Sequence, residues 1–253
     1  MTCLRFEPVN FGSGARQAAH VDIATADVHV YGFLLKVDDG SVSVMKGTLG
    51  NEELERANRL VSERHRREFV VAHGMVREVL SRYCGRPPHE LKFEKTASGK
   101  PFLVDDARIR FNLTHSHGRS VIVVGREREV GVDLEMLRPE VDVISLARRF
   151  FSSRDQAFIE GSGQTGWHER FLQTWVVREA VFKALGTGMT FPLDQDHVEF
   201  SNNGTEARLI TATNRGVGAE MSVRFLSLES GWIGAVAAEG MDWTVGYRRF
   251  FES

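Results

Sequence analysis

The sequence is poor in cysteine, lacks a long apolar run and carries no excess of basic charge. Its two cysteines, Cys3 and Cys84, lie far apart, which argues against a disulfide framework and for a reducing compartment. No apolar run approaches the roughly 18 residues of a membrane span, and the N-terminus lacks a basic region followed by an apolar core. A cytoplasmic protein that does not bind membranes is therefore expected.

Charge also limits the possible partners. The chain has 32 basic and 34 acidic residues, a formal net charge of −2. Nucleic-acid binding is not expected, because phosphate backbones are met by a basic excess. The 253 residues, 42% of them hydrophobic, suffice for one large globular domain or two modest ones.

The order of predicted elements divides the chain into an extension and two halves. Residues 1–25 show no sustained periodicity and are interpreted as an N-terminal extension. Residues 26–129 and 130–253 each contain strands and helices, although no repeat of the letters is visible. This order predicts two α+β halves with a site in the crevice between them.

A short strand carries the most informative pair of acidic residues. Val130, Val132 and Leu134 alternate with other residues, so Asp133 and Glu135 point the same way, roughly 7 Å apart. Two converging carboxylates repel each other unless a cation lies between them, and oxygen ligands without a nearby cysteine suit a hard ion such as Mg2+. A solvated strand end is the alternative that this segment alone leaves open.

A helical segment downstream carries a second charged pattern. Trp175, Glu179 and Lys183 stand at i, i+4 and i+8, so they share one stripe of the helix, with Arg178 beside them. An exposed Glu–Lys salt bridge is the ordinary interpretation of such a pair. Apolar residues on both sides of the stripe argue against a freely solvated face: Phe171, Leu172, Val176, Ala180 and Phe182.

Other segments carry patterns that bear on ligand binding. Arginines on two predicted helices, one from Asn51 and one from Arg66 to Tyr83, either form a solvated face or receive a polyanion. A predicted strand ends at His115, where a hydrogen bond to phosphate is a better interpretation than zinc because further ligands are missing. Residues 161–166 match the dinucleotide fingerprint in letters, but they follow a helical segment and are predicted to be a connector.

The segment after the first predicted strand is expected to be a turn region. The strand is predicted from Val28 to Val37, and the Gly, Ser and Asp residues that follow it are typical of turns.

Four segments form an ordered set along the chain: Gly99–Pro101, Phe111–Ser116, Gly131–Glu135 and Trp175–Lys183. Taken together, they resemble the 4'-phosphopantetheinyl transferases, in particular the longer, monomeric, surfactin-synthetase-activating type. The resemblance covers roughly residues 28–240. It implies a pseudo-dimer of two similar α+β halves, with the active site in the crevice between them.

The resemblance also implies a reaction. Phosphopantetheine passes from coenzyme A to a serine of an apo acyl or peptidyl carrier protein, with Mg2+ as cofactor and adenosine 3',5'-bisphosphate released. It implies Asp133, Glu135 and Glu179 as metal ligands, with Asp133, Glu179 and Lys183 catalytic. Glu179 would accept the serine proton, and Lys183 would act on the leaving phosphate. The residues implied in binding coenzyme A are Arg56, Arg66, Lys100, Pro101, Thr114, His115, Arg178 and Lys183.

The chain departs from the family pattern at several positions. Arg178 replaces the usual Lys and Thr114 the usual Ser, and both changes keep the charge or the hydroxyl. Asp155 replaces the usual Glu after the Phe-Phe-Ser run. Glu53 and Glu68 stand where basic residues are expected, so the resemblance does not say which arginines contact phosphate.

Two other functions are alternatives to the transferase. A non-catalytic binder of coenzyme A or of a carrier protein would be expected to lose a metal carboxylate, and all three are present. A Mg2+-dependent hydrolase of nucleotide pyrophosphates would release free phosphopantetheine without a protein acceptor. For docking an acidic carrier protein, Arg148, Arg149 and Phe151 are the candidates; their alternative interpretation is as core and salt-bridge residues.

Overall fold

The computed structural model describes residues 3–10, 20–188, 193–210 and 220–251 and has the mixed α+β fold that the sequence predicts. Two five-stranded sheets form its centre, and a two-stranded ribbon of β3 (Phe93–Lys95) and β4 (Pro101–Leu103) lies beside them. Within the described ranges no helix is long and apolar enough to cross a membrane.

The first sheet contains five strands: β1 (Phe6–Pro8), β2 (Asp27–Leu34), β5 (Ile109–Ser116), β6 (Arg119–Arg126) and β12 (Thr244–Tyr247). It is built around β2, which pairs antiparallel with β6 and parallel with the terminal strands β1 and β12. Strand β5 pairs antiparallel with the far edge of β6. Because β1 and β12 come from opposite ends of the chain, both ends are tied to β2. The division of the chain after residues 25 and 129 stays a prediction.

Three helices accompany the first sheet: α1 (Asp39–Thr48), α2 (Asn51–Arg59) and α3 (Glu63–Cys84). Helix α1 lies where the sequence predicts a turn region, so that prediction is wrong. The glycines and serines of this segment lower its helix propensity. The Asp38 carboxylate compensates by accepting the Ser41 N–H at 2.8 Å, and Met45 is fully buried in the core shared with α3.

The second sheet is antiparallel throughout and has the order β7-β11-β10-β9-β8. Its strands are β7 (Val130–Met136), β8 (His197–Phe200), β9 (Glu206–Ile210), β10 (Met221–Phe225) and β11 (Trp232–Glu239). The long helix α6 (Trp167–Leu185) packs on this sheet, and α4 (Val143–Phe150) and α5 (Ser153–Glu160) pack beside α6. Residues 161–166 form the turn between α5 and α6, which confirms the predicted connector.

The two sheets share an apolar core and a polar link. Val28 and Val123 of the first sheet pack with Val132 and Leu134 of β7, and all four are buried. The side chain of Asn112 on β5 accepts the Val132 N–H at 3.1 Å, so β7 is attached to the edge of the first sheet. This contact brings the polar face of β5 beside the acidic strand.

The absence of a side chain at Gly131 allows β7 to lie directly against α6. A Cβ atom at this position would overlap the Ala180 carbonyl oxygen and the Ala184 amide nitrogen, and it would lie 3.0 Å from the Ala184 Cα. These are backbone atoms of a helix interior, which cannot move aside separately. Any side chain at residue 131 therefore requires the strand and the helix to separate.

We predict that Gly131→Ala lowers the free energy of unfolding by about 2 kcal/mol or more, because overpacking a fixed backbone contact costs this much. Denaturant unfolding of the purified variant measures the change. The matched control is Gly47→Ala in α1, where an added Cβ meets no atom within 4 Å and should stabilise the helix by about 0.5–1 kcal/mol. Equal stability of the two variants would contradict the close approach.

A buried histidine links the C-terminal segment to the first core. Because an arginine can only donate, His29 Nε2 accepts from Arg248 at 2.8 Å, and Nδ1 carries the proton that is donated to the Tyr83 hydroxyl at 2.8 Å. The Tyr83 hydroxyl in turn lies 2.7 Å from that of Tyr31. Burial, assisted by the Arg248 charge, lowers the pKa of His29 to about 4.

We predict that protonation of His29 destabilises the fold at acidic pH. Its folded pKa is about 4 and its ordinary value is 6.5, so the unfolded chain binds the extra proton between these values. The stabilising contribution is complete above pH 6.5 and is lost as the pH falls toward about 4. On going from about pH 7 to about pH 5, His29→Gln should lose less unfolding free energy than the wild type.

Urea titrations at the two pH values measure this difference. His89→Gln serves as the control, because His89 is exposed. An acid sensitivity of His29→Gln equal to that of the wild type would show that another group is responsible.

Candidate active site

Three alternate residues of β5 contact the acidic strand β7. Asn112 accepts the Val132 N–H. The Thr114 hydroxyl donates to Asp133 Oδ1 at 3.2 Å, and the Ser116 hydroxyl donates to Glu135 Oε2 at 3.2 Å. Alternation along β5 places these side chains on one face. The roles of Asn112 and Ser116 were missed from the sequence, although their spacing with Thr114 was a usable signal.

Lys183 of α6 completes the contact between helix and strand. Its Nζ donates to Asp133 Oδ1 at 2.6 Å and to the Thr114 hydroxyl at 3.1 Å. Asp133 is only 4% exposed, and a buried carboxylate requires such a partner. Asp133 and Lys183, both singled out in the sequence, are therefore in direct contact, and Thr114 of β5 contacts both of them.

Burial and the negative charge of Asp133 raise the pKa of both Glu135 and Glu179. Burial is the largest cause of the raised pKa of Glu135, followed by the charge of Asp133. Burial also raises the pKa of Glu179 most strongly; the Lys183 charge opposes this, and Asp133 and Glu135 raise it further. The strand and the helix thus bring together the acidic residues that the sequence singled out.

Two oxygens of this cluster have no protein partner. Asp133 Oδ2 and Glu179 Oε1 are buried and accept no hydrogen bond from the described part of the chain. Such orphaned anionic oxygens fit a cation, and hard carboxylate oxygens are the donors that Mg2+ prefers. Among the described residues, no group of three or more His, Cys, Asp or Glu is arranged as a ready metal site.

Lys100 lies at the C-terminal end of α6. Its Nζ donates to the Ala184 carbonyl at 2.5 Å, to the Val130 carbonyl at 3.2 Å and to Glu129 Oε2 at 2.7 Å. These bonds satisfy a carbonyl that the helix end leaves open and connect it to the start of β7. Burial lowers the pKa of Lys100, and Glu129 opposes that change. The neighbouring Pro101, exposed, begins β4.

The other predicted ligand residues of the first half lie on α2, on α3 and at the end of β5. Burial lowers the pKa of His115, and the negative charge of Glu68 on α3 opposes this change, so α3 faces this edge. Arg66 donates to Glu63 and to the Leu60 carbonyl, and Arg56 lies over the Phe69 ring at 5.3 Å. In the described ranges no hydrogen bond or ion pair joins Arg56 or Arg66 to the three carboxylates.

Arg178 does not lie with the carboxylates that surround Glu179. Its side chain is 1% exposed and pairs with Asp155 of α5, on another side of α6. The sequence did not predict this pair. Phe151 is also buried, against Phe171 and Trp175, so its predicted role in docking is wrong.

An apolar cavity opens beside Glu135. It has a volume of about 160 Å³ and lies between the end of β7, α4 and α6. Met136, Val141, Leu172 and Trp175 are among its lining residues. The cluster of charges is therefore continuous with a small apolar space.

Comparisons with known proteins identify the class. A family model described as the 4'-phosphopantetheinyl transferase superfamily matches residues 129–237, and one described as 4'-phosphopantetheinyl transferase, N-terminal, matches residues 39–128. The chain is 32% identical to the 4'-phosphopantetheinyl transferase HetI of Nostoc over 88% of its own length and 92% of that protein. It belongs to the 4'-phosphopantetheinyl transferase family and is a transferase.

A second relative belongs to the type that the sequence resembles. The chain is 27% identical to the 4'-phosphopantetheinyl transferase Sfp of Bacillus subtilis, over 60% of its own length and 67% of that protein. The resemblance read from four short segments is confirmed.

We predict that Lys100→Met lowers the free energy of unfolding by about 2–3 kcal/mol, because it removes charge-assisted hydrogen bonds from a side chain that is 10% exposed. Denaturant unfolding without ligand measures this loss. The matched control is Lys95→Met, whose exposed pair with Glu52 should contribute about 0–1 kcal/mol. Unchanged stability together with weaker coenzyme A binding would assign Lys100 to the ligand instead.

Proposed function

We propose that the protein transfers the 4'-phosphopantetheine group of coenzyme A to a serine of an apo acyl or peptidyl carrier protein, in a Mg2+-dependent reaction that releases adenosine 3',5'-bisphosphate. The observation that carries this proposal is the pair of buried, unpartnered oxygens on Asp133 and Glu179 beside the ammonium of Lys183. Family membership supports the reaction class, and this local chemistry supports the details.

Asp133, Glu135 and Glu179 are the residues that would hold the metal ion. A bound Mg2+ supplies charge neutralisation for a pyrophosphate that is attacked at phosphorus. The donor set fits, because it contains carboxylate oxygens from one strand and one helix and has two acceptors without a partner. Thr114 and Ser116 each donate to one of the strand carboxylates and keep these side chains oriented.

Glu179 is suited to accept the proton of the attacking serine. Its raised pKa makes it a better base than an exposed carboxylate. Lys183, at 2.6 Å from Asp133, carries a positive charge that acts on this base and would stabilise the leaving phosphate. We assign Asp133, Glu179 and Lys183 as the catalytic residues on these grounds.

Coenzyme A would occupy the edge formed by the end of β5 and helices α2 and α3. Thr114 and Lys183 contact Asp133, and His115 follows Thr114 on β5. We assign Arg56, Arg66 and Pro101 to the same binding edge. The internal contacts of Lys100 and Arg178 favour structural roles over direct binding. The apolar cavity beside Glu135 offers space for the less polar pantetheine arm.

We further propose that the protein acts as a monomer in the cytoplasm. The thiols of Cys3 and Cys84 are both free, and this state suits a reducing compartment.

The test is mass spectrometry of apo carrier proteins incubated with the protein, coenzyme A and Mg2+. We predict addition of phosphopantetheine by the wild type, and a rate at least about 100-fold lower for Asp133→Asn and Glu179→Gln. Glu169→Gln is the matched control, because Glu169 is an exposed carboxylate in the first turn of the same helix. It should retain wild-type turnover.

Two results would count against the proposal. No mass gain on any of several acyl and peptidyl carriers would refute carrier modification. Free phosphopantetheine released without a carrier would indicate a hydrolase.

A further inference from the structure

Arg178 and Glu179 are adjacent in the chain but face different surroundings. Successive residues of a helix point about 100° apart, so one side chain can face the carboxylate cluster while the other faces α5. Arg178 is 1% exposed, and its guanidinium lies 4.9 Å from the centre of the Phe151 ring. Arg178 is therefore enclosed on a different side of α6 from the one that carries Glu179.

The contacts of Arg178 join three elements behind the helix. Its guanidinium donates to Asp155 Oδ2 in the first turn of α5 and to the Asp196 carbonyl at 2.7 Å, immediately before β8. Asp155 is also 1% exposed, and its second oxygen accepts the Val198 N–H of β8 at 2.9 Å. A single buried ion pair thus connects the middle of α6 with α5 and with the edge strand of the second sheet.

Such a connection fixes the rotation and the translation of α6. A planar guanidinium with two acceptors in fixed positions allows one orientation of the side chain, and with it one rotation of the helix. Removing one partner leaves an uncompensated buried charge, so the pair resists displacement. The next residue of the same helical turn is Glu179, whose carboxylate position follows from that rotation.

We propose that the Arg178–Asp155 pair is a positioning device for Glu179 and does not bind coenzyme A. This inference rests on the proposed function, because it assigns a purpose to the position of a residue that the reaction uses. Displacement of a reacting group by about 1 Å can cost about 100-fold in rate. A loosened α6 is therefore expected to reduce kcat while substrate binding at the other edge persists.

The experiment compares Arg178→Lys, Asp155→Asn, Asp155→Glu and the double variant Arg178→Lys/Asp155→Glu. Steady-state kinetics on an apo carrier protein give kcat and KM, and calorimetry gives the affinity for coenzyme A. Each single change should lower kcat by about 10- to 100-fold, with the Kd for coenzyme A within about threefold of the wild type. The double variant restores the summed reach of the two side chains and should recover most of the lost kcat.

The matched control is Arg154→Gln. Arg154 precedes Asp155 on α5 and pairs with Glu199 of β8 at 3.0 Å, so it joins the same two elements through an exposed contact. It should leave kcat unchanged. If the pair only stabilises the fold, the Asp155 variants will have a lower melting temperature but an unchanged kcat when assayed at a temperature where they are folded. That result would overturn the inference.

A second result would also overturn it. If Arg178→Lys weakens coenzyme A binding more than tenfold and Asp155→Asn does not, Arg178 contacts the ligand directly. If either variant is too unstable to assay, the double variant and Asp155→Glu still decide, because both retain a charged pair.

Amide hydrogen exchange separates this inference from the proposed function. Exchange in the middle of α6, around residues 174–182, should accelerate in Asp155→Asn and return toward the wild-type rate in the double variant. If the wild type modifies no carrier protein, the proposed function fails, and exchange still shows whether the pair holds the helix. Unaltered exchange in Asp155→Asn would refute the positioning role whatever the turnover.

Discussion

The direct contact of β7 with the backbone of α6 is the constraint on which the rest of this structure depends. Gly131 has no Cβ, so the strand approaches until it touches the main chain of Ala180 and Ala184. At that separation the side chain of Asp133, two residues further along β7, meets that of Lys183, about one turn beyond Ala180 on α6. Lys183 donates to Asp133, and burial and the charge of Asp133 raise the pKa of Glu179, because the two backbones are this close. A normal strand-to-helix distance would leave the same residues apart.

Such proximity has an energetic cost that the neighbouring residues reduce. Burying carboxylates together is unfavourable, and the raised pKa values of Glu135 and Glu179 express that cost. The ammonium of Lys183 and the hydroxyls of Thr114 and Ser116 offset part of it. Two oxygens remain without partners, so the cluster keeps a residual demand for positive charge. The fold tolerates this demand, in keeping with the proposed metal site.

The sequence predicts this site to the extent that the site follows local periodicity. Alternation placed Asp133 and Glu135 on one face of a strand, and helical spacing placed Glu179 and Lys183 on one stripe. Contacts made across long chain separations left no such pattern. Asp155 and Arg178 are 23 positions apart, and Lys100 and Ala184 are 84 apart. Helix α1 was missed for a related reason, because burial of Met45 against α3 overrides a low local propensity.

Adjacent letters in a signature therefore need not share a role. Arg178 and Glu179 read as one charged unit in the chain, yet helical geometry directs one toward a buried aspartate and the other toward the proposed metal site. Lys100, which also belongs to the family pattern, likewise makes a contact within the protein: its ammonium donates to the Ala184 carbonyl of α6. Helix α6 is consequently held at its middle, at its end and along its contact with Gly131. A helix attached at three places can present the turn that carries Glu179 and Lys183, the residues proposed to react, without depending on the Lys183–Asp133 contact alone.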